Sequence, residues 1–198
     1  MDPVRVAVLI SGGGSNMAAL IDAGQQHDSP YRIVRVISNQ PDAGGLAIAH
    51  AKGIDVLAID HRPFGKDREA HEHAIQSALL EAGTQVVALA GYMRVLTPWL
   101  VGQWSGRMLN IHPSLLPKYP GLHTHARAIE AGDGEAGCTI HLVTNGVDEG
   151  PILAQARVPI LPDDTPEALA QRVLVEEHRL YPQTLATFCA NENGASRS

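Results

Sequence analysis

The sequence predicts an α/β fold: a Rossmann-like, mostly parallel sheet with helices on both faces and a C-terminal antiparallel hairpin. Two observations carry this. Short β-rich apolar runs alternate with segments of helical spacing up to residue 90, the pattern of parallel strands joined by right-handed helical crossovers. Beyond that point two β-rich runs bracket a loop bounded by Asn145-Gly146 and Glu149-Gly150, as antiparallel strands with a long, shaped connection would.

The elements follow in order. Residues 4–10 are apolar except for Arg5, as in a buried strand. The glycine-rich stretch 11–16 ends it, and 17–23 set Met17, Leu20 and Ile21 on one helical face. Residues 33–38 read as a second strand, and 39–45, rich in Asn, Pro, Asp and Gly, as a turn. A short helix suits 46–52, with Gly53 just past its end. A third strand at 56–59 precedes a long helical pattern over 67–82 that stops at Gly83. Residues 86–90 are a fourth strand, closed by Gly91. Residues 108–111 form a short strand leading into the proline-rich loop 113–120, and 138–143 and 152–160 form the hairpin. Thr165 and Pro166 open a last helix with Leu169, Val173 and Leu174 on its apolar side. It is expected to run toward Leu180, to be interrupted at Pro182 and to resume after it. Residues 191–198 read as a frayed tail. With no repeat, low-complexity tract or linker, the chain is read as one domain over 1–190, with halves 1–100 and 101–190.

Composition narrows the function. In 198 residues, 44% are hydrophobic and 18% charged, enough for a core and too little charge for disorder. The net charge of -6, with no Lys/Arg cluster, gives no general pull on nucleic acid. No run approaches the ~18 apolar residues of a membrane helix. The N-terminus lacks the apolar core and cleavage site of a signal peptide, so a cytoplasmic protein without membrane partners is expected. Cys138 and Cys189 belong to no CxxC or Cys/His ladder. They read as buried thiols, not as disulfide or zinc ligands.

Residues 12–16 follow a strand and open a helix. Glycine lets the backbone approach a ligand, and the first helical N–H groups are unpaired donors at the positive end of the dipole. A phosphate monoester fits there; so does a plain tight turn. The spacing is neither GxGxxG nor a P-loop, so neither a dinucleotide nor ATP is indicated.

Asn110 and His112 are two apart at a strand's end, hence on one face. Asp148 lies in the glycine-bounded loop, within reach of a histidine. Acyl transfer to an amine needs a donor for the oxyanion and a group that moves protons. Asn110 or protonated His112 suits the first task, and an Asp–His pair the second. No Cys or Ser sits in a nucleophile setting. A histidine before a proline is also commonly structural, and an Asn-Gly-x-Asp turn commonly just caps a loop. His123 and His125 form an HxH without a further ligand at metal spacing, so hydrogen bonding near the acceptor is preferred to metal. His141 reads as a satisfied core or face residue, and Trp99 and Trp104 as packing.

Several words occur together in order: ISGGGSN at 10–16, LAGYMRVL at 89–96, LNIHPSLLPKYPGLHTH at 109–125, and Gly137-x-Thr139-Ile140-His141 through Asp148-Glu149-Gly150. With them the chain resembles the folate-dependent phosphoribosylglycinamide (GAR) formyltransferase family from Val4 to about Pro182. The resemblance implies a formyl transferase of purine biosynthesis. It would pass the formyl group of 10-formyltetrahydrofolate, its co-substrate, to the GAR amine by direct attack through a tetrahedral intermediate, with no metal. It further implies that Asn110, His112 and Asp148 are catalytic. Gly14, Ser15 and Asn16 would bind the GAR phosphate, and Glu177 the GAR ribose or amide. Arg68, Met93, Arg94, Val95 and Leu96, with Thr144, Asn145, Gly146 and Val147, would line the folate site. The 1–100 half would hold the phosphate and the 101–190 half the catalytic and folate groups. The partners implied are small molecules, on a monomer or homodimer. Gly13 stands where many relatives carry Asn, an exchange expected to loosen the loop without abolishing phosphate binding. The alternative is a formyltetrahydrofolate hydrolase or another folate-dependent formyltransferase. Length argues against the tRNA-formylating relative with its added C-terminal domain, and a first strand beginning at Val4 argues against the hydrolase with its N-terminal regulatory domain.

Overall fold

The computed structural model describes residues 2–195. In chain order its elements are β1 (Val4–Ile10), α1 (Ser15–Gly24), β2 (Tyr31–Ser38), α2 (Gly44–Ala51) and β3 (Asp55–Ala58). A 3-10 turn (Arg62–Phe64) leads to α3 (Arg68–Glu81), β4 (Val86–Leu89), α4 (Pro98–Gln103), β5 (Met108–His112) and α5 (Thr124–Glu130). Then come β6 (Glu135–Leu142), β7 (Ile152–Pro159) and α6 (Pro166–Ala195). Local chemistry sets several of these bounds. The Asp67 carboxylate caps α3 by accepting the Ala70 N–H at 2.9 Å. Gly53 and Gly83, at φ 77° and 62°, turn the chain out of α2 and α3.

The strands form one seven-stranded sheet in the order β3-β2-β1-β4-β5-β6-β7. It is parallel from β3 through β5 and antiparallel across β5-β6 and β6-β7. β1 runs between β2 and β4, so successive crossovers leave it in opposite directions. The crevice at the carboxyl ends of β1 and β4 is the place where such sheets hold ligands. Alternation along β1 divides the core between the two faces. Val6, Val8 and Ile10 pack with Met17 and Leu20 of α1 and Leu169, Val173 and Tyr181 of α6. Ala7 and Leu9 pack with Ile75 and Leu79 of α3 and Leu100 and Trp104 near α4.

The structure departs from expectation in three places. α4 and α5 fall in stretches without a predicted element; at six and seven residues they are too short to show a helical period. α6 does not break at Pro182 but continues through it. Leu180, Tyr181, Leu185 and Cys189 are buried on both sides of the proline, so packing on the sheet outweighs the lost backbone hydrogen bond. Residues 191–195, expected to fray, are the last turn of that helix; 196–198 lie outside the described residues. The Leu116–Pro117 peptide is cis.

Candidate active site

β5 ends in the crevice, and its antiparallel neighbour β6 sets the register. Asn110 stands opposite His141 and His112 opposite Thr139, so all four side chains share one face. Asp148 reaches the same place from the β6–β7 loop. Its backbone is left-handed at φ 56°, a region asparagine and aspartate enter more easily than most residues. Gly150 makes the loop's return possible: an added Cβ would lie 1.7 Å from the Leu142 carbonyl oxygen.

The carboxylate sits between two rings. Asp148 Oδ2 lies 3.3 Å from His112 Nδ1 and accepts the Gly121 N–H at 2.9 Å. Oδ1 lies 3.7 Å from His141 Nε2. Burial works to raise the Asp148 carboxyl. The His141 ring, the Gly121 N–H and the charges of His112 and His141 outweigh it and hold it below the usual carboxylate range. His112 is 5% exposed, and its Nε2 faces the Tyr119 carbonyl oxygen at 2.9 Å. Both ring nitrogens therefore face oxygen acceptors.

His141, which the sequence marks as a satisfied core or face residue, is buried and hydrogen-bonded and also lies inside this cluster. Its Nδ1 faces the Leu142 carbonyl oxygen at 2.9 Å, which can only accept, so Nδ1 carries the hydrogen. Its Nε2 lies 3.2 Å from Asn110 Nδ2 and 3.7 Å from Asp148 Oδ1, so this nitrogen stands between the amide and the carboxylate. The signal was the alternation of Thr139 and His141, which mirrors Asn110 and His112 once the two strands pair. Thr139 Oγ1 donates to the Ser114 carbonyl at 2.7 Å and accepts the Leu116 N–H at 3.1 Å, which fixes the loop after β5.

On the far side of β4 lies the glycine loop. Gly14, at φ 72°, precedes α1, and no side chain caps the helix. The first N–H groups of α1 are thus open to an anion. A Cβ on Gly14 would come within 2.9 Å of Met17 Cε and 3.0 Å of Gly45 Cα, so only glycine fits. Asn16 Nδ2 donates to Glu177 Oε2 at 2.7 Å, joining α1 to α6. That bond fixes the amide's orientation and leaves Asn16 Oδ1 buried without a partner. Burial pushes the Glu177 carboxyl above its usual range, offset only in part by Asn16. Two acceptors side by side, one unsatisfied, suit a ligand rich in N–H or O–H donors.

Arg68, at the start of α3, donates to the Val95 carbonyl at 3.3 Å. This brings together two parts of the sequence-predicted donor site. Met93 and Val95, in the segment after β4, and Val147, in the loop after β6 that carries Asp148, are exposed apolar side chains. Leu96 and Val143, which leads into residues 144–147, pack on the same core cluster. Arg94 and the side chains of Thr144 and Asn145 make no hydrogen bond that ties them to the cluster. His123 is the left-handed residue before α5. His125 is held below the usual histidine range by burial and by the charge of His112. Among the described residues no group of three or more His, Cys, Asp and Glu is placed to hold a metal ion. Cys138 and Cys189 are buried free thiols, and among the described residues no helix is long and apolar enough to cross a membrane.

Known proteins show the same order of parts. The formyl transferase family model matches residues 4–185. The chain is 43% identical to the phosphoribosylglycinamide formyltransferase of Escherichia coli (strain K12), over 93% of this chain and 87% of that protein. It is 50% identical over 92% of its length to the trifunctional purine biosynthetic protein adenosine-3 of Drosophila melanogaster, of which it spans 14%. The solved phosphoribosylglycinamide formyltransferase from Brucella melitensis superposes with a TM-score of 0.91 at 54% identity. That match covers 96% of this chain and 97% of the other.

Proposed function

The chain belongs to the formyl transferase family, and from that premise we propose that it passes a formyl group from 10-formyltetrahydrofolate to the amine of glycinamide ribonucleotide, in de novo purine (IMP) biosynthesis. The observation that carries the reading is the cluster at the end of β5: Asn110, His112 and His141 around the Asp148 carboxylate, with an open helix N-terminus at α1 and exposed apolar side chains after β4 and β6.

The two substrates meet over this cluster. Gly14, Ser15 and Asn16 take the acceptor's phosphate on the N–H groups of α1. Glu177 and the unpaired Asn16 Oδ1 take its hydroxyl or amide donors. The apolar rim at Met93, Val95 and Val147, with Arg68, Arg94, Leu96 and residues 144–146, receives the folate. Holding amine and formyl carbon in contact turns a two-body encounter into a local one. The amine attacks the formyl carbon directly, with no nucleophile from the protein. Asn110 Nδ2 leaves His141 to donate to the oxyanion of the tetrahedral intermediate. His112 Nε2 exchanges the Tyr119 carbonyl for the same oxygen, a shift of the kind that substrate binding brings to an apo site. Asp148 keeps the His112 ring oriented and takes the proton of the attacking amine; the intermediate then collapses with cleavage of the bond between the formyl carbon and the folate nitrogen, which receives that proton. Residues 1–190 act as one domain, and the reaction draws on small molecules in the cytoplasm.

His112→Ala and Asn110→Ala test these roles. Each is expected to lower kcat by about 10²–10³ while leaving GAR affinity, read by calorimetry, within about twofold. Equal losses of turnover and GAR binding would assign the two residues to the acceptor site instead.

A further inference from the structure

Residues 91–97 contain no helix or strand, yet they hold Met93 and Val95 outward at 68% and 56% exposure. An irregular segment that presents apolar side chains to solvent lacks the backbone ladder that fixes a strand. Side chains from two other elements supply the fixing. At the near end stands Ser11, the residue after β1. Its hydroxyl donates to Asn39 Oδ1 at 2.6 Å. With its only proton committed there, the oxygen accepts the Met93 N–H at 2.8 Å. The Ser11 N–H also donates to the Gly91 carbonyl at 3.1 Å. At the far end stands Glu72 of α3, which is 3% exposed. Its carboxylate accepts the Thr97 N–H at 2.8 Å and the Thr97 hydroxyl. A carboxylate buried among helices costs stability unless its oxygens are hydrogen-bonded, and both of these are spent on Thr97, the residue just before α4.

We propose that Ser11 and Glu72 are positioning residues for the formyl donor, clamping residues 91–97 at both ends without touching a substrate, and that Ser11 ties this clamp to the phosphate loop. The inference rests on the reading of that segment as the folate rim. Ser11 is the residue before Gly12, and the Gly12 carbonyl in turn accepts the Gly45 N–H at 3.0 Å. Phosphate bound at residues 14–16 stiffens this loop, and through Ser11 it stiffens the donor rim. Donor therefore binds more tightly once the acceptor is in place, and by linkage the acceptor once the donor is.

The test compares Ser11→Ala and Thr97→Val with the conservative Thr97→Ser in the full chain. It uses kinetics with 10-formyltetrahydrofolate and GAR, and equilibrium binding of a non-transferable 10-substituted folate with and without GAR. Ser11→Ala and Thr97→Val are each expected to raise the donor KM about 3–10-fold, the worth of one hydrogen bond, with kcat at saturating donor within about twofold. Thr97→Ser restores the wild-type KM. GAR is expected to tighten folate binding about 5-fold or more in the wild type and in Thr97→Val, and not in Ser11→Ala. Unchanged folate affinity in both variants overturns the clamp. Parallel losses in donor KM, GAR KM and kcat reduce it to a folding effect and overturn it equally. A wild type that binds folate but never formylates GAR contradicts the proposed function instead, and the folate-binding ratios still decide the clamp.

Discussion

At the scale of single residues, the site is a set of groups whose ionisation is set by their neighbours. Asp148 is held below the usual carboxylate range, with burial opposed by His141, Gly121 and His112. A depressed folded pKa adds stability that is full above the unfolded value of about 3.9 and is lost as pH falls through the folded one. Urea midpoints should therefore show Asp148→Asn below the wild type at pH 7, with the gap closing in acid; a gap that widens there contradicts the assignment. Glu177 has the opposite sign. Its carboxyl is raised by burial, so its charged form costs stability once pH rises past the unfolded value of about 4.3. Glu177→Gln keeps the acceptor for Asn16 and should melt higher than wild type at pH 7 but not near pH 3.5, while its KM for GAR rises. An unchanged melting point would show that the burial is not felt. Asn110 and His112 were legible because their spacing on a strand puts them on one face, and Asp148 because glycines bound its loop. His141 was not, since its place depends on which residue of β5 it faces. Glu177 came only through family resemblance, because nothing in a helical stretch marks a carboxylate that reaches α1.

At the scale of elements, the sheet and its crossovers follow from local pattern and the shorter helices do not. Every predicted strand is present within a few residues, since apolar β-branched runs bounded by turn residues have few other solutions. α4 and α5 escaped because six or seven residues give fewer than two turns of period. Pro182 misled because a proline is a local breaker, while the stripe from Leu169 to Cys189 that buries α6 is read only over the whole helix. The structure makes that proline costly in place. Pro182→Ala should stabilise the protein by about 1–3 kcal/mol, seen as a rise in Tm; a fall would mean that the proline is needed for the helix to follow the sheet. Gly150 tests the loop that carries Asp148. A Cβ there meets the Leu142 carbonyl oxygen at 1.7 Å, so Gly150→Ala should displace Asp148 and lower kcat at least about tenfold, with far-UV circular dichroism unchanged. Full activity in that variant would detach Asp148 from the chemistry.

At the scale of the whole molecule, the order of strands assembles the site. β1, β4 and β5 stand side by side, so the glycine loop, residues 91–97 and the Asn110–His112 pair open on one crevice despite lying far apart in sequence. The alternation of elements foretold a parallel sheet, but not that β4 would lie beside β1; that depends on which crossover reverses direction, and the choice is made by packing on both faces. The halves assigned from sequence share their work more than expected. Glu177 reaches from the second half to Asn16 in the first, and Arg68 and Val95, bonded to each other in the first half, belong to the proposed folate rim. For a chain of net charge -6, the proposed binding of a phosphorylated acceptor depends on the local field of the α1 N-terminus, not on overall charge. The most direct measurement of the central claim follows folate absorbance when the purified protein meets 10-formyltetrahydrofolate with and without GAR. The account predicts deformylation only when GAR is present, with formyl-GAR as the product. Formate released without GAR, or no change in either mixture, would contradict it.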